Sequence, residues 1–335
     1  MKNKRSLKLI GSACMAVVLI LMSVFTASCA GPPAEESYKI GITQIVTHPA
    51  LDSCREGFID QMADEGYVEG ENVEYILRNA EGDMSVAASI AESFVSEGVD
   101  LIFSIATPTS QACVAAVEGT DIPVIFAAVT DPVVAELVES WEVPGGQVTG
   151  ASDWADVEAQ VQLGMDIHQA ERLGVIYNAG EVNSVVQVDI LKAAKESLGI
   201  TEIVEATAAT TADVYAAAES LVGSVDAIWE PSDNTVAAAI ASVVAVCEDN
   251  DIPLFCSDVD MARAGAISGL GLDYFVNGQT AGELAARVLE GEDPGTIPVA
   301  TTPMTIIYLC EAAAERMGIT IPAEVLATAT EVCEE

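Results

Sequence analysis

Positive charge is scarce in this sequence. Its 335 residues include 13 Lys and Arg against 52 Asp and Glu, and only two histidines. Lys2, Lys4, Arg5 and Lys8 fall in residues 1–28, which hold no acid, so the other 307 residues carry nine bases against all 52 acids, a balance of about −43. Phosphate contacts need clusters of Lys and Arg, which excludes a nucleic-acid partner, and the same lack argues against a basic surface resting on anionic lipid. Catalytic signatures are missing too: no G-x-x-x-x-G-K-[ST], G-x-S-x-G, H-E-x-x-H or G-x-G-x-x-G occurs. There is no C-x-x-C or other metal-ligand spacing, and Asp258-Val259-Asp260 alone is too little for a calcium loop. His168 lies among helix residues and reads as a surface or capping residue, while His48, beside Pro49, is either a contact or a bystander. The reading is a non-enzyme with no cofactor and no metal.

What the chain has is apolar surface. Hydrophobic residues make up 51% of it and the mean hydropathy is +0.38, enough for a sizeable core, so the acidity belongs on the exterior of a folded body. The first 28 residues join a basic start to an apolar run from Leu9 to Ala27, the layout of a secretory signal. Thr26-Ala27-Ser28-Cys29 then resembles the lipobox of bacterial lipoproteins, with Cys29 lipidated at the mature N-terminus, although Thr26 departs from the usual Leu. Two readings compete with it: an ordinary cleavage site at Ser28-Cys29-Ala30, and retention of the apolar run as a membrane anchor. Residues 29–37 suit a solvated tether. The expected location is extracytoplasmic, held to the membrane by lipid. Cys54, Cys113, Cys247, Cys256, Cys310 and Cys333 are expected as buried thiols, with Cys247 and Cys256 the first choice for any disulfide.

From Lys39 onward short runs rich in Val and Ile alternate with helical patterns. Strands are expected at Ile40–Ile45, Val73–Leu77, Leu101–Ile105 and Pro123–Phe126, and helices at Leu51–Glu65, Met84–Glu97, Thr109–Val117 and Val133–Val138. The alternation resumes after about residue 153, which indicates βαβ units around mainly parallel sheets. The two stretches also resemble each other. Lys39-Ile40-Gly41-Ile42 answers Arg172-Leu173-Gly174-Val175, Val99-Asp100-Leu101-Ile102 answers Val225-Asp226-Ala227-Ile228, and Asp121-Ile122-Pro123 answers Asp251-Ile252-Pro253. The fold class is therefore α/β, as two Rossmann-like lobes with a cleft between them. Elements after Asp273 (a helix over Asn277–Glu290, a strand over Met304–Leu309 and a helix over Glu311–Met317) imply that the chain crosses between lobes near 150–153, 270–274 and 300–303. The expected division is residues 38–152 plus 274–300 in the first lobe and 153–273 plus 301–330 in the second.

Ligands of open α/β sheets sit beyond the carboxyl ends of the strands. The loops there are rich in helix-capping residues: Ala106-Thr107-Pro108, Thr130-Asp131-Pro132, Tyr177-Asn178 through Glu181-Val182-Asn183-Ser184, Asp233-Asn234-Thr235 and Ser257-Asp258. Helix N-termini suit a carboxylate. Asp131, Glu181, Asp233 and Asp258 offer partners for an ammonium group, so the set fits a zwitterion such as an amino acid. Tyr177, Trp229, Tyr274 and Trp154 are available to pack on an apolar or ring-bearing side chain.

The motifs Lys39-Ile40-Gly41-Ile42-Thr43-Gln44 with Thr47-His48-Pro49, Ala106-Thr107-Pro108, Ala128-Val129-Thr130-Asp131-Pro132, Tyr177 through Ser184, Asp233-Asn234-Thr235 and Gly271-Leu272-Asp273-Tyr274 closely resemble ABC transporter substrate-binding proteins of the tryptophan-binding group. The resemblance covers nearly the whole mature chain. It implies a type I periplasmic-binding-protein fold with three crossovers, and capture of a small solute, often an aromatic amino acid, for a membrane permease and its ATPase subunit. It implies Thr107 and the Asn183-Ser184 turn as carboxylate holders, and Gln44, Asp131, Asn178, Asp233 and Asn234 as the polar remainder of the pocket. With Thr130, Tyr177, Glu181 and Asp258 from the loops, these make up the expected ligand site. Two alternatives stay open: a ligand-sensing protein without a transport role, and a binder of another small solute such as a nucleoside or sugar.

Overall fold

A computed structural model describes residues 37–333. The export signal over 1–28, the lipidation site Cys29 and nearly all of the tether lie outside the described residues. The first half runs β1 (Tyr38–Gln44), α1 (Pro49–Asp64), β2 (Val73–Asn79), α2 (Met84–Glu97), β3 (Leu101–Ile105), α3 (Thr107–Ala116), β4 (Val124–Val129) and β5 (Val148–Ser152). The second runs α4 (Val157–Ile167), β6 (Arg172–Tyr177), α5 (Val182–Ala194), β7 (Glu202–Thr207), α6 (Val214–Leu221), β8 (Ala227–Glu230), α7 (Asn234–Ala237), α8 (Ile240–Asp249), β9 (Leu254–Cys256), α9 (Val259–Arg263) and β10 (Ser268–Gly271). There follow α10 (Tyr274–Leu289), β11 (Ala300–Thr301), β12 (Ile306–Leu309), α11 (Glu311–Arg316), α12 (Ala323–Leu326) and β13 (Glu331–Val332).

These strands form two sheets, ordered β11-β5-β4-β3-β1-β2 and β13-β12-β10-β9-β8-β6-β7. The run β2-β1-β3-β4-β5 has its counterpart in β7-β6-β8-β9-β10, and the pairings within both runs are parallel. A shared local device marks the internal similarity. Asp100 accepts the Lys39 amide at 2.7 Å and Asp226 accepts the Arg172 amide at 2.8 Å, and each Asp amide bonds back to the same residue's carbonyl at 2.8 Å. β3 and β4 are buried at every position, as strands covered on both faces must be. Each sheet has its own apolar core.

Because β11 belongs to the first sheet and β12 to the second, the chain passes between them three times. After the second passage α10 returns to the first sheet and lies on α1 almost backbone to backbone. A Cβ on Gly278 would stand 1.9 Å from the Cys54 carbonyl oxygen, and one on Gly57 would stand 2.0 Å from that of Phe275. Only glycine permits that approach. This seat brings the buried Asn277 to the passages, where it accepts the Ala128 amide (3.0 Å) and donates to the Ser152 carbonyl (3.1 Å) and Thr302 hydroxyl (3.0 Å).

Two expectations are corrected. Val133–Val138 is a run of turns and no helix. Asp131 Oδ1 accepts the Val133 and Val134 amides, both at 3.0 Å, and Glu136 adopts φ 59°, where a right-handed helix cannot continue. The disulfide is Cys310–Cys333, whereas Cys54, Cys113, Cys247 and Cys256 are free and buried. β13 lies along β12 and sets Cys333 beside Leu309, so the 23-residue separation closes in space, with the two Cα atoms 4.9 Å apart.

Candidate functional site

The carboxyl ends of both sheets face a small inner cavity. His48 and Leu51 at the start of α1, with Ala128 and Thr130 at the end of β4, line it from the first sheet. Asn183, Ser232, Asp233, Asn234, Ala237, Asp258 and Met261 line it from the second, and Asp153 and Tyr274 stand where the chain passes between sheets. A wider opening, bordered by Val46, Met84, Pro108, Asn178 and Glu181, meets the inner cavity at Asn234.

Much of the polar wall is committed to the fold of the second half. Glu181 accepts from the Asn234 amide (3.2 Å) and side chain (2.5 Å), and from the Thr235 amide (3.1 Å) and hydroxyl (2.9 Å). Asp233 caps α7 through the Val236 amide (2.8 Å) and takes the Asn178 amide and Ser184 hydroxyl on its other oxygen, both at 2.7 Å. Burial, and then the charge of Glu181, raise Asp233 to about 7. With Asn234 Nδ2 given to Glu181, its Oδ1 faces His48 Nε2 at 3.3 Å, among the described residues the one side-chain bond across the cavity between the two sheets' loops. That acceptor requires the Nε2–H tautomer. Burial lowers the His48 pKa, with the Asn234 bond opposing it, so the imidazole is neutral at pH 7.

Two acids remain open to the cavity. Asp153, 7% exposed, accepts the Tyr274 hydroxyl on Oδ2 at 2.8 Å, and its Oδ1 is buried without a partner. Burial raises its pKa, and the Tyr274 bond works against the rise. Asp258, 6% exposed, caps α9 by accepting the Met261 amide on Oδ1 at 2.7 Å. Burial lifts it to about 7, with Asp260 and then Asp153 adding repulsion. No Lys or Arg is in the lining. Such a wall suits a cation bound between carboxylates, and an anionic group reaching it must use neutral donors.

Those donors are backbone amides. α2, α4, α7, α9 and α10 are each capped by an Asp side chain, whereas α1, α3 and α5 have no side-chain cap. The free first turns of α1 and α5 carry Leu51 and Asn183 into the cavity wall. Ala106, just before α3, and Ala128, in the wall itself, hold φ of 80° and 54° without being glycine, a strain that concentrates at functional sites.

The structure distributes the expected residues unequally. Thr130, Asn183, Asp233, Asn234 and Asp258 line the inner cavity, and Asn178 and Glu181 border the wider opening. Gln44 borders neither: it is buried at the end of β1, where it receives Arg55 of α1 at 2.6 Å and donates to Asp52 at 2.9 Å. Tyr177 donates to Glu205 at 2.7 Å, Asp131 only caps its turn, and the Ser184 hydroxyl is spent on Asp233. Thr107 is the first residue of α3 and not its cap, and its buried hydroxyl makes no hydrogen bond. Trp229 is wholly buried in the second core, and Trp154 packs edge-on against Trp141. Asp153 is absent from the expected set. Its one signal is position, an acid at the first crossing between lobes. Leu51, Ala128, Ala237 and Met261 carry none beyond following a strand end. Among the described residues, no cluster of three or more His, Cys, Asp or Glu is placed to hold a metal ion.

Residues 39–333 match the family model for ABC transporter substrate binding proteins. The chain belongs to that family. A tyrosine-binding protein of Clostridioides difficile is 42% identical over 281 residues, covering 83% of this chain and 80% of the relative. A Streptococcus pneumoniae ABC domain solved in complex with L-Trp is 34% identical with a TM-score of 0.84, covering 89% of this chain and 100% of that one. The ligand-free, open structure of a substrate-binding protein with adhesive properties from Clostridium difficile is 38% identical with a TM-score of 0.65, covering 88% and 99%. More distant solute-binding proteins, 16% identical or less, share the two-lobed α/β fold of type I periplasmic binding proteins. This ABC substrate-binding protein therefore has a family built to hold solutes and not to transform them, working outside the cytoplasmic membrane beside a permease and ATPase.

Proposed function

We propose that the solute is a single amino acid with an aromatic side chain, held as a zwitterion between the sheets. The observation that carries the reading is the pair Asp153 and Asp258: two buried acids in one cavity whose lining holds no Lys or Arg to neutralise them. A ligand ammonium group supplies the missing positive charge. Its carboxylate takes the free first-turn amides of α1 and α5, and its ring lies among Leu51, Ala237, Met261 and Tyr274. The relatives' tyrosine and L-Trp support the aromatic side chain.

Capture proceeds by hinge closure of residues 38–152 plus 274–300 against 153–273 plus 301–330. In support, the chain fits the L-Trp complex (TM-score 0.84) better than the ligand-free open structure (0.65), although the second is the closer in sequence. The His48–Asn234 bond is then a contact of the closed state. Residues 1–28 direct export, Cys29 carries the lipid anchor, and the closed form is what the permease receives. Titration calorimetry against L-amino acids, nucleosides and sugars tests the reading. The expected outcome is Kd in the micromolar range or below for L-tyrosine or L-tryptophan; binding of a sugar or nucleoside, with every amino acid at or above the millimolar range, would sink it.

A further inference from the structure

Three residues that line the inner cavity each carry a side-chain oxygen that accepts no hydrogen bond. Asp153 Oδ1 and Asn183 Oδ1 are both buried and unpartnered, their residues 7% and 4% exposed, and Asp258 has a second oxygen beyond the one that takes the Met261 amide. The orientation of the Asn183 amide is decided by its other end. Nδ2 lies 3.2 Å from Glu181 Oε2, 3.2 Å from Ser184 Oγ and 2.8 Å from the Ser232 carbonyl. Glu181 and Ser232 offer only acceptors there, and Ser184 has given its proton to Asp233. Turning the amide over would set oxygen against oxygen, so Oδ1 is the atom left for the cavity. The neighbouring polar side chains are already paired: Tyr274 and Thr130 bond to Asp153, Asn234 spans Glu181 and His48, and the Ser232 hydroxyl meets that of Ser257 at 3.0 Å.

Three acceptors match the three N–H bonds of a primary ammonium group. Resting on the amino-acid reading above, we propose that Asn183, together with Asp153 and Asp258, makes the site selective for an unsubstituted α-ammonium group and against N-alkylated amino acids. The side chain of Asn183 is thereby reassigned, from the carboxylate end of the ligand that its motif implies to the ammonium end, while the backbone amides of its turn keep the carboxylate. The chemistry is asymmetric: an N-methyl group replaces one N–H by carbon and leaves a buried acceptor unpaired, which costs far more than the methyl group gains.

Calorimetry on the lipid-free mature protein would compare L-tyrosine and L-tryptophan with their N-methyl derivatives and with the corresponding deaminated acids. N-methylation is expected to weaken binding by about 10- to 100-fold, and removal of the amino group to abolish it. Asn183→Ala should weaken the parent amino acid and shrink the ratio between parent and N-methyl ligand, whereas Asp131→Ala, which removes only a turn cap outside the cavity, should leave that ratio alone. If Asn183→Ala does not fold, the ligand series on the native protein still decides. Equal binding of parent and N-methyl ligands would overturn this inference and leave the amino-acid reading standing. Failure of both parent amino acids to bind would overturn both.

Discussion

The hydroxyl of Tyr274 donates to Asp153 Oδ2 at 2.8 Å, joining the second passage of the chain between its sheets to the first. One bond therefore does two things. It ties the two passages together, and it holds a buried carboxylate in the cavity wall whose other oxygen has no hydrogen-bond partner. Tyr274→Phe removes the donor without changing the packing. Stability should fall by about 1–3 kcal/mol, read from urea unfolding. Ligand affinity should fall as well, because Asp153 loses a bond that favours its charged form. Unchanged affinity would separate Asp153 from the ligand.

Acidity should act on stability and on binding with opposite signs. Burial raises Asp258 to about 7 and raises Asp153, so between about pH 4 and 7 the folded, ligand-free protein binds protons that the unfolded chain releases. Stability in that window declines as pH rises, by up to about 1.4 kcal/mol per pH unit for each proton involved. The ammonium ligand needs the ionised acids, so its affinity climbs over the same window. Calorimetry and urea midpoints at pH 5, 6, 7 and 8 check both slopes, and Asp258→Asn should flatten each. Slopes of the same sign would contradict the assignment.

Asp131 and Glu181 answer each other as controls. Asp131→Ala removes a turn cap outside the cavity and should cost about 1 kcal/mol of stability with ligand affinity unchanged. Glu181→Ala leaves the Asn234 and Thr235 groups unpaired in a buried loop, and should lower stability by about 3 kcal/mol or more. A loss of affinity in the Asp131 variant would restore that residue to the site.

Gly278→Ala adds one carbon 1.9 Å from a backbone carbonyl. Helices α1 and α10 must separate, and because α10 carries both Asn277 and Tyr274 the strain reaches the passages and the site. The expected loss is about 3 kcal/mol, visible as a lower urea midpoint, with weaker ligand binding in the protein that remains folded. A change confined to stability would show that the helix pair is scaffold only.

Legibility in the sequence followed range. The alternation of Val- and Ile-rich runs with helices was readable because each element is local, and the repeat was readable because matching βαβ units reuse matching residues, down to Asp100 and Asp226. Cap residues were readable as caps: Asp131, Asp233 and Asp258 each take the amides their motifs imply. Which of them also faces a ligand was not readable. Gln44 and Tyr177 sit on the same kind of strand end as cavity residues, yet their side chains bond to Arg55 and Glu205 instead. The two cysteines that pair are joined by a late strand two residues long, which carries almost no periodic signal.

The sequence by itself determined the α/β class, the duplicated order of strands, the deficit of positive charge and a cleft lined by strand ends, since propensity, period and composition act over a few residues at a time. Tertiary structure alone decided which polar groups are spent and which are free. Asp153 becomes part of the site only because Gly57 and Gly278 let α10 lie against α1 and carry Tyr274 to it. Burial then leaves one of its oxygens without a hydrogen-bond partner, and it is that atom, not the residue type, on which the proposed preference for an ammonium group rests.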